Sequence, residues 1–415
     1  MVTTMTPAGH YIEREAARCA RNYAPLPVVA ARAAGCTIWD AEGNRWLDMM
    51  SGYSAVSFGH AHPRLTRVLC EQASRLAVTS RAIHSDQLAP FAEALTALVG
   101  LPRVLPMNTG VEAVETAIKA ARKWAALVKG VPEARAQIVV CEGNFHGRTT
   151  TVIGFSSHAQ YRFGFGPFDG GFVAIPFGDA AALEAAINSR TAAFLFEPIQ
   201  GEGGINVPPA GWLRAVREIC SRHRVLMIAD EVQTGLGRTG AVLACDHEQV
   251  RPDGLCLGKA LGGGLLPVSA FVATEELMGV FQPGDHGSTF GGNALAARVA
   301  REALAVLIED KLPERAAALG TAARARLQAR RHPAIADVRG RGLLIGVELR
   351  RELDAAAVVN ELVQHGVITK DTHRNTVRLS PPLVVEQPEL EFAIDALFEV
   401  LDDAQRNIQA PRRAA

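Results

Sequence analysis

The sequence predicts an α/β protein built on a mostly parallel β-sheet, with a second, smaller α+β domain. After residue 100, short apolar segments alternate with amphipathic ones, which is the pattern of βα units. Polar and glycine-rich segments follow several of the apolar ones, as expected where an open α/β sheet binds a ligand beyond its strand ends. The chain of 415 residues also exceeds what one hydrophobic core usually supports, so we expect two domains.

The individual elements follow from the spacing of apolar residues. Two short strand-like segments within 37–48 flank a Glu-Gly-Asn turn and predict a β-hairpin. Residues 111–128 predict a helix, because apolar residues share one face and Glu115 and Lys119 form an i,i+4 pair opposite. The remaining predicted helices are 212–223 and 294–309, and the predicted strands are 104–107, 137–141, 172–176, 193–196, 225–229, 254–257, 268–273, 343–349, 367–369 and 377–380.

The order of these elements suggests how the domains divide. We expect residues 56–299 to form the large domain, because the regular alternation of strands and helices lies there. Residues 1–55 and 300–415 carry the hairpin and the shorter mixed elements. We therefore expect the two ends of the chain to pack together as the smaller domain.

Composition excludes several classes of function. Lys and Arg number 43, as do Asp and Glu, so no net charge favours nucleic acid or an anionic membrane. Seven scattered cysteines without a C-x-x-C pair argue for a reducing compartment and against a zinc site. The opening segment 1–21 resembles no targeting peptide, and the uncharged stretch 260–274 is too short to cross a bilayer. We expect a cytoplasmic protein without a metal.

Lys259 and Asp230 are the first candidate catalytic residues. Lys259 lies between an apolar strand and a glycine-rich loop, where loss of water lowers a lysine pKa and prepares the amine to form a Schiff base. Asp230 ends another apolar strand and could keep a pyridine nitrogen protonated. This pair matches the needs of pyridoxal 5'-phosphate (PLP). On these two residues alone, a lysine at a loop edge and an acid that caps a turn remain an equal alternative.

A phosphate-binding segment is expected at residues 108–111. The sequence Asn-Thr-Gly-Val follows a strand and begins a helix, and a helix start with a close glycine favours an anion. Thr109 and Glu112 also fit a capping box, which is compatible with that role.

Two further polar segments follow predicted strands. In residues 144–149, Phe145 could stack on a cofactor ring and Arg148 could bind a carboxylate through two hydrogen bonds, although a surface arginine is the simpler reading of that segment alone. Residues 197–204 place acids and glycines after another strand. The shared position at strand ends supports a common binding site more than any single segment does.

Other motifs are weaker. Residues 235–240 match G-x-G-x-x-G, but charged residues end the preceding strand and no long helix follows. Residues 254–259 resemble a P-loop with one residue too few and no hydroxyl for magnesium. His60 and His62 precede a proline and lack a third metal ligand. We therefore favour neither a nicotinamide, a nucleotide nor a metal site.

Six motifs in order resemble the class III aminotransferases over nearly the whole chain. They are GVE at 110–112, FHGRT at 145–149, EPIQGE at 197–202, DEVQTG at 230–235, GK at 258–259 and GSTFGGN at 287–293. This resemblance implies a fold-type I PLP-dependent transferase with Lys259 as the Schiff-base lysine and Asp230 on the pyridine nitrogen. It also implies ring stacking by Phe145 and a contact from Gln233 to the cofactor hydroxyl.

The resemblance further implies an obligate dimer. Gly110 and Val111 would hold the cofactor phosphate from one subunit, while Ser288 and Thr289 would reach it from the other. Assembly would then be a homodimer or a dimer of dimers.

Within that class, several segments resemble the ornithine aminotransferase branch: NYAPLPV at 22–28, SAV at 54–56, LPMNTGVE at 105–112, GFGPF at 164–168 and VRLSPPL at 377–383. By similarity, Tyr23 and Arg148 would hold the α-amino and α-carboxylate end of ornithine, and Tyr53 would shape the pocket. Glu202 would neutralise Arg378. One departure is His146, where animal enzymes of this branch carry Trp, which bears on tuning of the cofactor.

The implied reaction is transfer of the ornithine δ-amino group to 2-oxoglutarate, with a place in arginine catabolism and proline biosynthesis. The alternatives are an N-acetylornithine, 4-aminobutyrate or lysine aminotransferase, a PLP aminomutase or racemase, or a non-catalytic protein of the same fold. Tyr53 argues against the acetylornithine and aminobutyrate variants, because a phenol there favours a free amino-acid head group. Intact Lys259 and Asp230 argue against a non-catalytic protein.

Overall fold

The protein is described here by a computed structural model covering residues 7–373 and 375–409. Its strands are β1 (Ala30–Ala34), β2 (Thr37–Asp40), β3 (Arg45–Asp48), β4 (Arg103–Met107), β5 (Gln137–Cys141), β6 (Phe172–Ile175), β7 (Thr191–Phe196), β8 (Leu226–Asp230), β9 (Gly254–Leu257), β10 (Ser269–Ala273), β11 (Ile335–Arg341), β12 (Leu344–Leu349), β13 (Val367–Ile368), β14 (Lys370–Thr372) and β15 (Thr376–Leu379).

The helices surround these strands. They are α1 (Pro7–Ala16), α2 (Ser51–Ser54), α3 (Pro63–Arg75), α4 (Leu88–Val99), α5 (Gly110–Trp124), α6 (Thr150–Gly154), α7 (Ala159–Arg162), α8 (Ala180–Ala186), α9 (Trp212–Arg222), α10 (Glu275–Met278), α11 (Ala294–Glu309), α12 (Leu312–Ala329), α13 (Ala355–Gln364) and α14 (Gln387–Gln409). A π-helical turn (Ala125–Lys129) extends α5, and 3₁₀ turns occupy Ala244–Glu248 and Lys259–Gly262.

The central sheet has seven strands in the order β4-β10-β9-β8-β7-β5-β6. Strands β5 to β9 pair with one another in parallel, whereas β10 runs antiparallel to both β4 and β9. The predicted mostly parallel sheet is therefore confirmed, and each of its predicted strands lies within two residues of the observed one.

Both faces of this sheet are covered. All six residues of β7 are buried, and alternate side chains enter different cores: Phe194 and Phe196 join one, while Ala193 and Leu195 join the other. The apolar face of α5 packs in the second core. Burial on both faces explains why the parallel strands read as continuous apolar runs in the sequence.

Two smaller four-stranded sheets come from the ends of the chain, in the orders β1-β2-β3-β13 and β11-β12-β15-β14. The predicted hairpin is confirmed as β2 and β3. Strand β13 pairs in parallel with β3, so segments more than 300 positions apart share a sheet. On this basis we propose that the described residues of 1–55 and 300–415 form the smaller domain and residues 56–299 the larger one; residues 1–6, 374 and 410–415 lie outside the described part of the chain.

The topology brings many loops to one edge of the central sheet. Strands β5, β7, β8 and β9 run in parallel, and β4 runs the same way because β4 and β9 both oppose β10. Their carboxyl ends therefore face the same side, where ligands bind in open α/β sheets. Every candidate segment that follows one of these strands is delivered to that edge.

Within the described residues, no group of His, Cys, Asp and Glu side chains could hold a metal ion, and no helix is long and apolar enough to cross a membrane. All seven cysteines are free, and five of them are buried.

Candidate active site

Lys259 begins a 3₁₀ turn two residues after the end of β9. Its backbone adopts φ 44°, a left-handed conformation that is unusual for a residue with a side chain and often marks functional sites. Burial lowers the pKa of Lys259, although the negative charges of Glu202 and Asp230 oppose that shift. The amine is therefore closer to its neutral, nucleophilic form than a solvated lysine is.

Asp230, the last residue of β8, forms a buried pair with His146. Oδ2 of Asp230 lies 2.7 Å from Nδ1 of His146, and Oδ1 accepts a hydrogen bond from the backbone N–H of Val232 at 3.1 Å. Because a carboxylate only accepts, Nδ1 of His146 carries the proton. Burial opposes protonation of His146, yet the hydrogen bond to Asp230 and the negative charges of Asp230 and Glu197 together outweigh that effect and raise the pKa of the imidazole. Nε2 of His146 is buried without a partner.

Glu197 follows β7 and lies behind this pair. Its Oε2 accepts from the backbone N–H of Phe145 at 3.0 Å, and its Oε1 accepts from that of Gly201 at 3.3 Å. Burial raises the pKa of Glu197 to about 7, against the opposing charge of His146. This carboxyl therefore fixes the loop that carries Phe145 relative to the loop that carries Glu202.

The start of α5 forms an anion cradle beside β4. The Glu112 carboxylate accepts backbone N–H bonds from Thr109 at 2.6 Å and from Asn108 at 3.0 Å, so the predicted capping box is present. The amides of Gly110 and Val111 have no partner inside the helix, as at every helix start. A Cβ on Gly110 would lie 2.7 Å from Cγ1 of Val232, so only glycine allows this close approach.

Arg378 and Glu202 form a second buried ion pair. Nη1 of Arg378 donates to Oε1 of Glu202 at 2.5 Å, and the Arg378 residue is 1% exposed. Burial opposes ionisation of Glu202, but the charge and hydrogen bond of Arg378, together with Lys259 and Gln233, outweigh it and lower the pKa of that carboxyl. Nε and Nη2 of Arg378 are buried without partners. The guanidinium therefore retains donors for a second carboxylate.

Tyr53 covers this ion pair. The Arg378 guanidinium lies 4.9 Å from the centre of the Tyr53 ring. Burial raises the pKa of the Tyr53 phenol, although the positive charge of Arg378 opposes it. Tyr53 has φ 59° inside α2, another left-handed conformation at this site.

The loop that carries Glu202 is held by three side chains. Gln233 directs its amide toward O of Tyr53 and Oε1 of Glu202, both at 3.5 Å. Oγ1 of Thr372 donates to the backbone O of Glu202 at 2.6 Å. Arg339 donates to the backbone O of Gly204 at 2.6 Å. Movement of Glu202 is therefore easiest in its side chain, because the backbone on both sides is anchored.

Two of the expected substrate residues lie farther out. The Arg148 guanidinium is exposed and stacks 3.6 Å from the ring centre of Tyr161 and 5.3 Å from that of Phe145. Tyr23 is 76% exposed on the segment that precedes β1. The single chain thus brings Arg148 to the mouth of the site and leaves Tyr23 at the surface.

Ser288 and Thr289, expected to act across a subunit interface, lie in the loop before α11. Oγ of Ser288 accepts from Nδ2 of Asn108 at 2.9 Å in the same chain, next to the anion cradle. Thr289 is exposed and remains available to a partner.

The residues present fit PLP. The free amides of the cradle suit its phosphate, Asp230 suits a protonated pyridine nitrogen, and Lys259 suits its aldehyde. The hydrogen bond from Nδ1 of His146 fixes the orientation of the Asp230 carboxyl group, as that role requires.

Several neighbours of the site were not assigned from the sequence: the partnership of His146 with Asp230, the bridging role of Glu197, and the contacts of Tyr161, Arg339 and Thr372. His146 and Glu197 each belong to a segment after a strand, which is a signal that could have found them. No local pattern marks Thr372 or Arg339, because their partners lie 170 and 135 positions away.

The comparisons with known proteins agree on one family. A sequence profile of the family "Aminotransferase class-III" matches residues 18–401. An ornithine aminotransferase of Geobacillus sp. (strain WCH70) is 53% identical over 381 residues, covering 92% of this chain and 95% of that protein. An ornithine aminotransferase of Halalkalibacterium halodurans is 52% identical over 390 residues, covering 94% and 98%.

Solved structures agree with the sequence matches. The crystal structure of the ornithine aminotransferase from Toxoplasma gondii ME49 superposes with a TM-score of 0.95 at 42% identity, covering 97% of each chain. A second structure of the Toxoplasma gondii enzyme is described as having partial occupancy of PLP at its active site. The acetylornithine aminotransferase of Elizabethkingia anophelis superposes with a TM-score of 0.86 at 44% identity, covering 95% of this chain and 99% of that one.

Proposed function

The chain belongs to the class III aminotransferase family, and we propose that it transfers the δ-amino group of L-ornithine to 2-oxoglutarate with PLP as cofactor. The products are L-glutamate 5-semialdehyde, which cyclises to pyrroline-5-carboxylate, and L-glutamate. The observation that carries the choice of substrate is the Arg378–Glu202 pair under Tyr53. Because Glu202 neutralises Arg378, the α-carboxylate of an incoming substrate finds no binding site beside the cofactor. The substrate can then present its ω-amine there.

The chemistry divides between the cofactor and the chain. When bound, PLP supplies an aldehyde that takes up the amino group and a ring that stores electrons while a proton moves. Lys259 would hold that aldehyde, and its free Nζ would move the substrate proton as general acid and base. Asp230, oriented by His146, holds the proton on the pyridine nitrogen.

The two substrates need different states of Arg378. Ornithine presents its terminal amine while its α-carboxylate reaches outward to Arg148, so Glu202 stays paired with Arg378. Glutamate presents its α-amine with a carboxylate beside it, and that carboxylate takes Arg378 when the Glu202 side chain turns aside. The unpartnered Nε and Nη2 of Arg378 support this second binding mode.

We also propose the remaining assignments for this chain. Gly110 and Val111 bind the phosphate, Phe145 stacks on the ring, and Gln233 contacts the cofactor hydroxyl. Tyr23 and Tyr53 line the ornithine pocket. Ser288 and Thr289 complete the phosphate site of a partner subunit, in a homodimer or a dimer of dimers. A cytoplasmic location is supported by free, mostly buried thiols, and the reaction fits arginine catabolism and proline biosynthesis.

Transamination of N-acetylornithine is the second candidate, because the Elizabethkingia anophelis acetylornithine aminotransferase shares the fold at 44% identity. The Tyr53 phenol above Arg378 favours the free amino acid.

A donor panel tests the proposal. Purified holoprotein is assayed with ornithine, N-acetylornithine, 4-aminobutyrate and lysine against 2-oxoglutarate. We expect kcat/KM for ornithine to exceed that of each other donor by at least about a hundredfold, the factor that about 2.7 kcal/mol of discrimination gives. A larger kcat/KM for N-acetylornithine would replace ornithine as the assigned substrate.

A further inference from the structure

Four planar side chains meet at the mouth of the active site. The Arg148 guanidinium lies over the Tyr161 ring at 3.6 Å. The ring of His158 stacks on Tyr161 with centroids 4.3 Å apart, and on His373 at the same distance. The Tyr161 hydroxyl lies 3.2 Å from Nε2 of His373. We call Arg148, Tyr161, His158 and His373 the mouth stack.

The mouth stack joins elements that are far apart in sequence. Arg148 follows β5, Tyr161 and His158 belong to α7 and its N-terminal cap, and His373 follows β14 in the C-terminal sheet. Three of its members line a cavity of about 180 Å³ whose other walls include Phe145 and Glu202. The stack therefore forms one wall of a cavity that Glu202 also borders.

Stacking fixes how Arg148 can bind. A guanidinium that lies flat on a ring keeps its N–H groups at the edge of the plane, where they can bind a carboxylate through two hydrogen bonds. Within the described chain, no carboxylate forms an ion pair with Arg148, and its guanidinium contacts the side chains of Tyr161 and Phe145. Its orientation thus depends on Tyr161, and the position of Tyr161 depends on the two histidines.

We propose that His158 and His373 are positioning residues that hold Arg148, through Tyr161, in the orientation that binds the α-carboxylate of the amino-acid donor. This inference rests on the proposed function, because that function places the α-carboxylate of ornithine at the mouth of the site.

The charges around His158 are mostly positive. His373 and Arg148 face it directly, and both act against its protonation. Glu202 lies across the cavity, but its charge is already paired with Arg378.

Among the described residues of the adjoining segments, no other charged group opposes this effect. On the same helix, the Arg162 guanidinium turns away toward the Phe168 ring at 5.4 Å. In the C-terminal strand beside His373, Lys370 and Asp371 form an ion pair with each other at 3.0 Å.

Acid should therefore weaken the mouth stack. Burial, together with the charges of His373 and Arg148, lowers the pKa of His158, so the folded protein favours its neutral form. Because this pKa is lowered on folding, neutral His158 contributes its full stability to the fold above the ordinary histidine pKa. That contribution is lost as pH falls below this pKa. Protonated His158 adds a cation beside Arg148, and carboxylate binding should weaken.

The test compares two substitutions of His158 with a control. His158→Phe keeps a ring but cannot titrate, and His158→Ala removes the ring. The control His223→Phe replaces an exposed histidine that bonds Glu184 and lies between α9 and β8, at the amino end of that strand. Each holoprotein is assayed with ornithine and with 1,4-diaminobutane, which lacks the carboxylate, between pH about 5.5 and about 8.5. For a diamine that is not turned over, its inhibition constant against ornithine is measured. Absorbance gives the cofactor content.

We expect His158→Ala to raise KM for ornithine by about tenfold at every pH, with kcat and cofactor content unchanged, since a stacked cation contributes at that level. In the wild type and in His223→Phe, KM for ornithine should rise as pH falls below about 6.5. His158→Phe should keep the low KM and lose that rise. The constant for 1,4-diaminobutane should be the same in all variants.

Three results would overturn the inference while the proposed function stands. They are an unchanged KM for ornithine in His158→Ala, a rise of KM at low pH in His158→Phe equal to that of the wild type, and an equal change in the constant for 1,4-diaminobutane. A wild type that converts no ornithine would instead overturn the proposed function, and the named substrate of this inference with it.

Discussion

The active site depends on a few buried charges that each have one strong partner. Asp230 pairs with His146, and Arg378 pairs with Glu202; Glu197 differs, because it accepts hydrogen bonds from two backbone N–H groups. A buried charge that loses its partner is costly, so these side chains have few alternative states. Because each charge depends on so few partners, a single substitution can change the chemistry of the site without changing the fold.

Glu202→Ala should reduce the selectivity of the pocket for the δ-amine of ornithine over α-amines. Freed from its partner, Arg378 should bind any α-carboxylate beside the cofactor, so the half-reaction with glutamate should become faster. The preference for the δ-amine of ornithine should fall by roughly ten- to a hundredfold, the worth of a charge-assisted hydrogen bond. Stopped-flow measurement of both half-reactions gives these rates. Equal losses for both amino acids would show that Glu202 merely supports its loop.

Glu197 should make stability depend on pH. Its pKa is raised to about 7 by burial, whereas in the unfolded chain the carboxyl ionises near its ordinary value. The folded protein therefore holds an extra proton between those values. The stability from that proton is complete below the unfolded pKa and is lost as pH rises through about 7.

The measurement uses Glu197→Gln, which cannot titrate. Between pH about 5 and about 8, the free energy of unfolding of the wild type should fall relative to this variant by about 2–3 kcal/mol. Denaturant unfolding at both values gives the difference, with the exposed Glu133→Gln as control. Parallel pH dependence of Glu197→Gln and wild type would refute the assignment.

At the scale of elements, the strand ends explain which residues sequence reasoning could find. Long apolar runs predict β5, β7, β8 and β9 because those strands are buried on both faces. Polar residues after each run then predict the edge of the sheet at which the active site lies. Lys259, Asp230 and Phe145 were identified in this way. Strand β1 was missed because its alanine-rich residues are largely exposed and carry no alternating pattern.

The partners of those residues could not be found in the same way. His146 and Asp230 lie 84 positions apart, and Thr372 and Glu202 lie 170 apart. Their contacts arise from strand order and loop packing, which no local spacing encodes.

Gly110→Ala should weaken binding of the cofactor phosphate. The added Cβ would lie 2.7 Å from Cγ1 of Val232, so the start of α5 must shift away from its place beside β8. Because an anion at a helix start is worth about 1–2 kcal/mol, the Kd for PLP should rise by roughly tenfold. Titration of apoprotein followed by absorbance measures it. Gly170→Ala, where nothing lies within 4 Å, is the control and should bind normally.

At the scale of the whole molecule, the active site combines both parts of the chain. Strand β15 of the C-terminal sheet supplies Arg378, and the turn before it supplies His373, while the central sheet supplies Lys259 and Asp230. Sequence alone predicted that the two ends of the chain come together, but not that β13 joins them by pairing with β3. Thr289 is exposed, and we propose that it completes the phosphate site of a partner subunit.

Thr289→Ala should therefore weaken both PLP binding and dimer formation. If Thr289 binds the phosphate across an interface, the variant should lose PLP several times faster than the wild type, and dimer and cofactor content should fall together. Sedimentation and absorbance of the same samples measure both quantities. Thr321→Ala on the exposed face of α12 is the control. A fully active monomer would rule out a shared site.

The fate of the two ornithine nitrogens tests the central claim most directly. Holoprotein is incubated with 2-oxoglutarate and ornithine carrying ¹⁵N at either the δ or the α position, and the glutamate formed is examined by NMR, with Lys259→Ala as the inactive control. Label from the δ position should appear in glutamate, and label from the α position should remain in the cyclised product. Glutamate labelled from the α position, or label transfer by Lys259→Ala equal to that of the wild type, would contradict δ-transamination through Lys259.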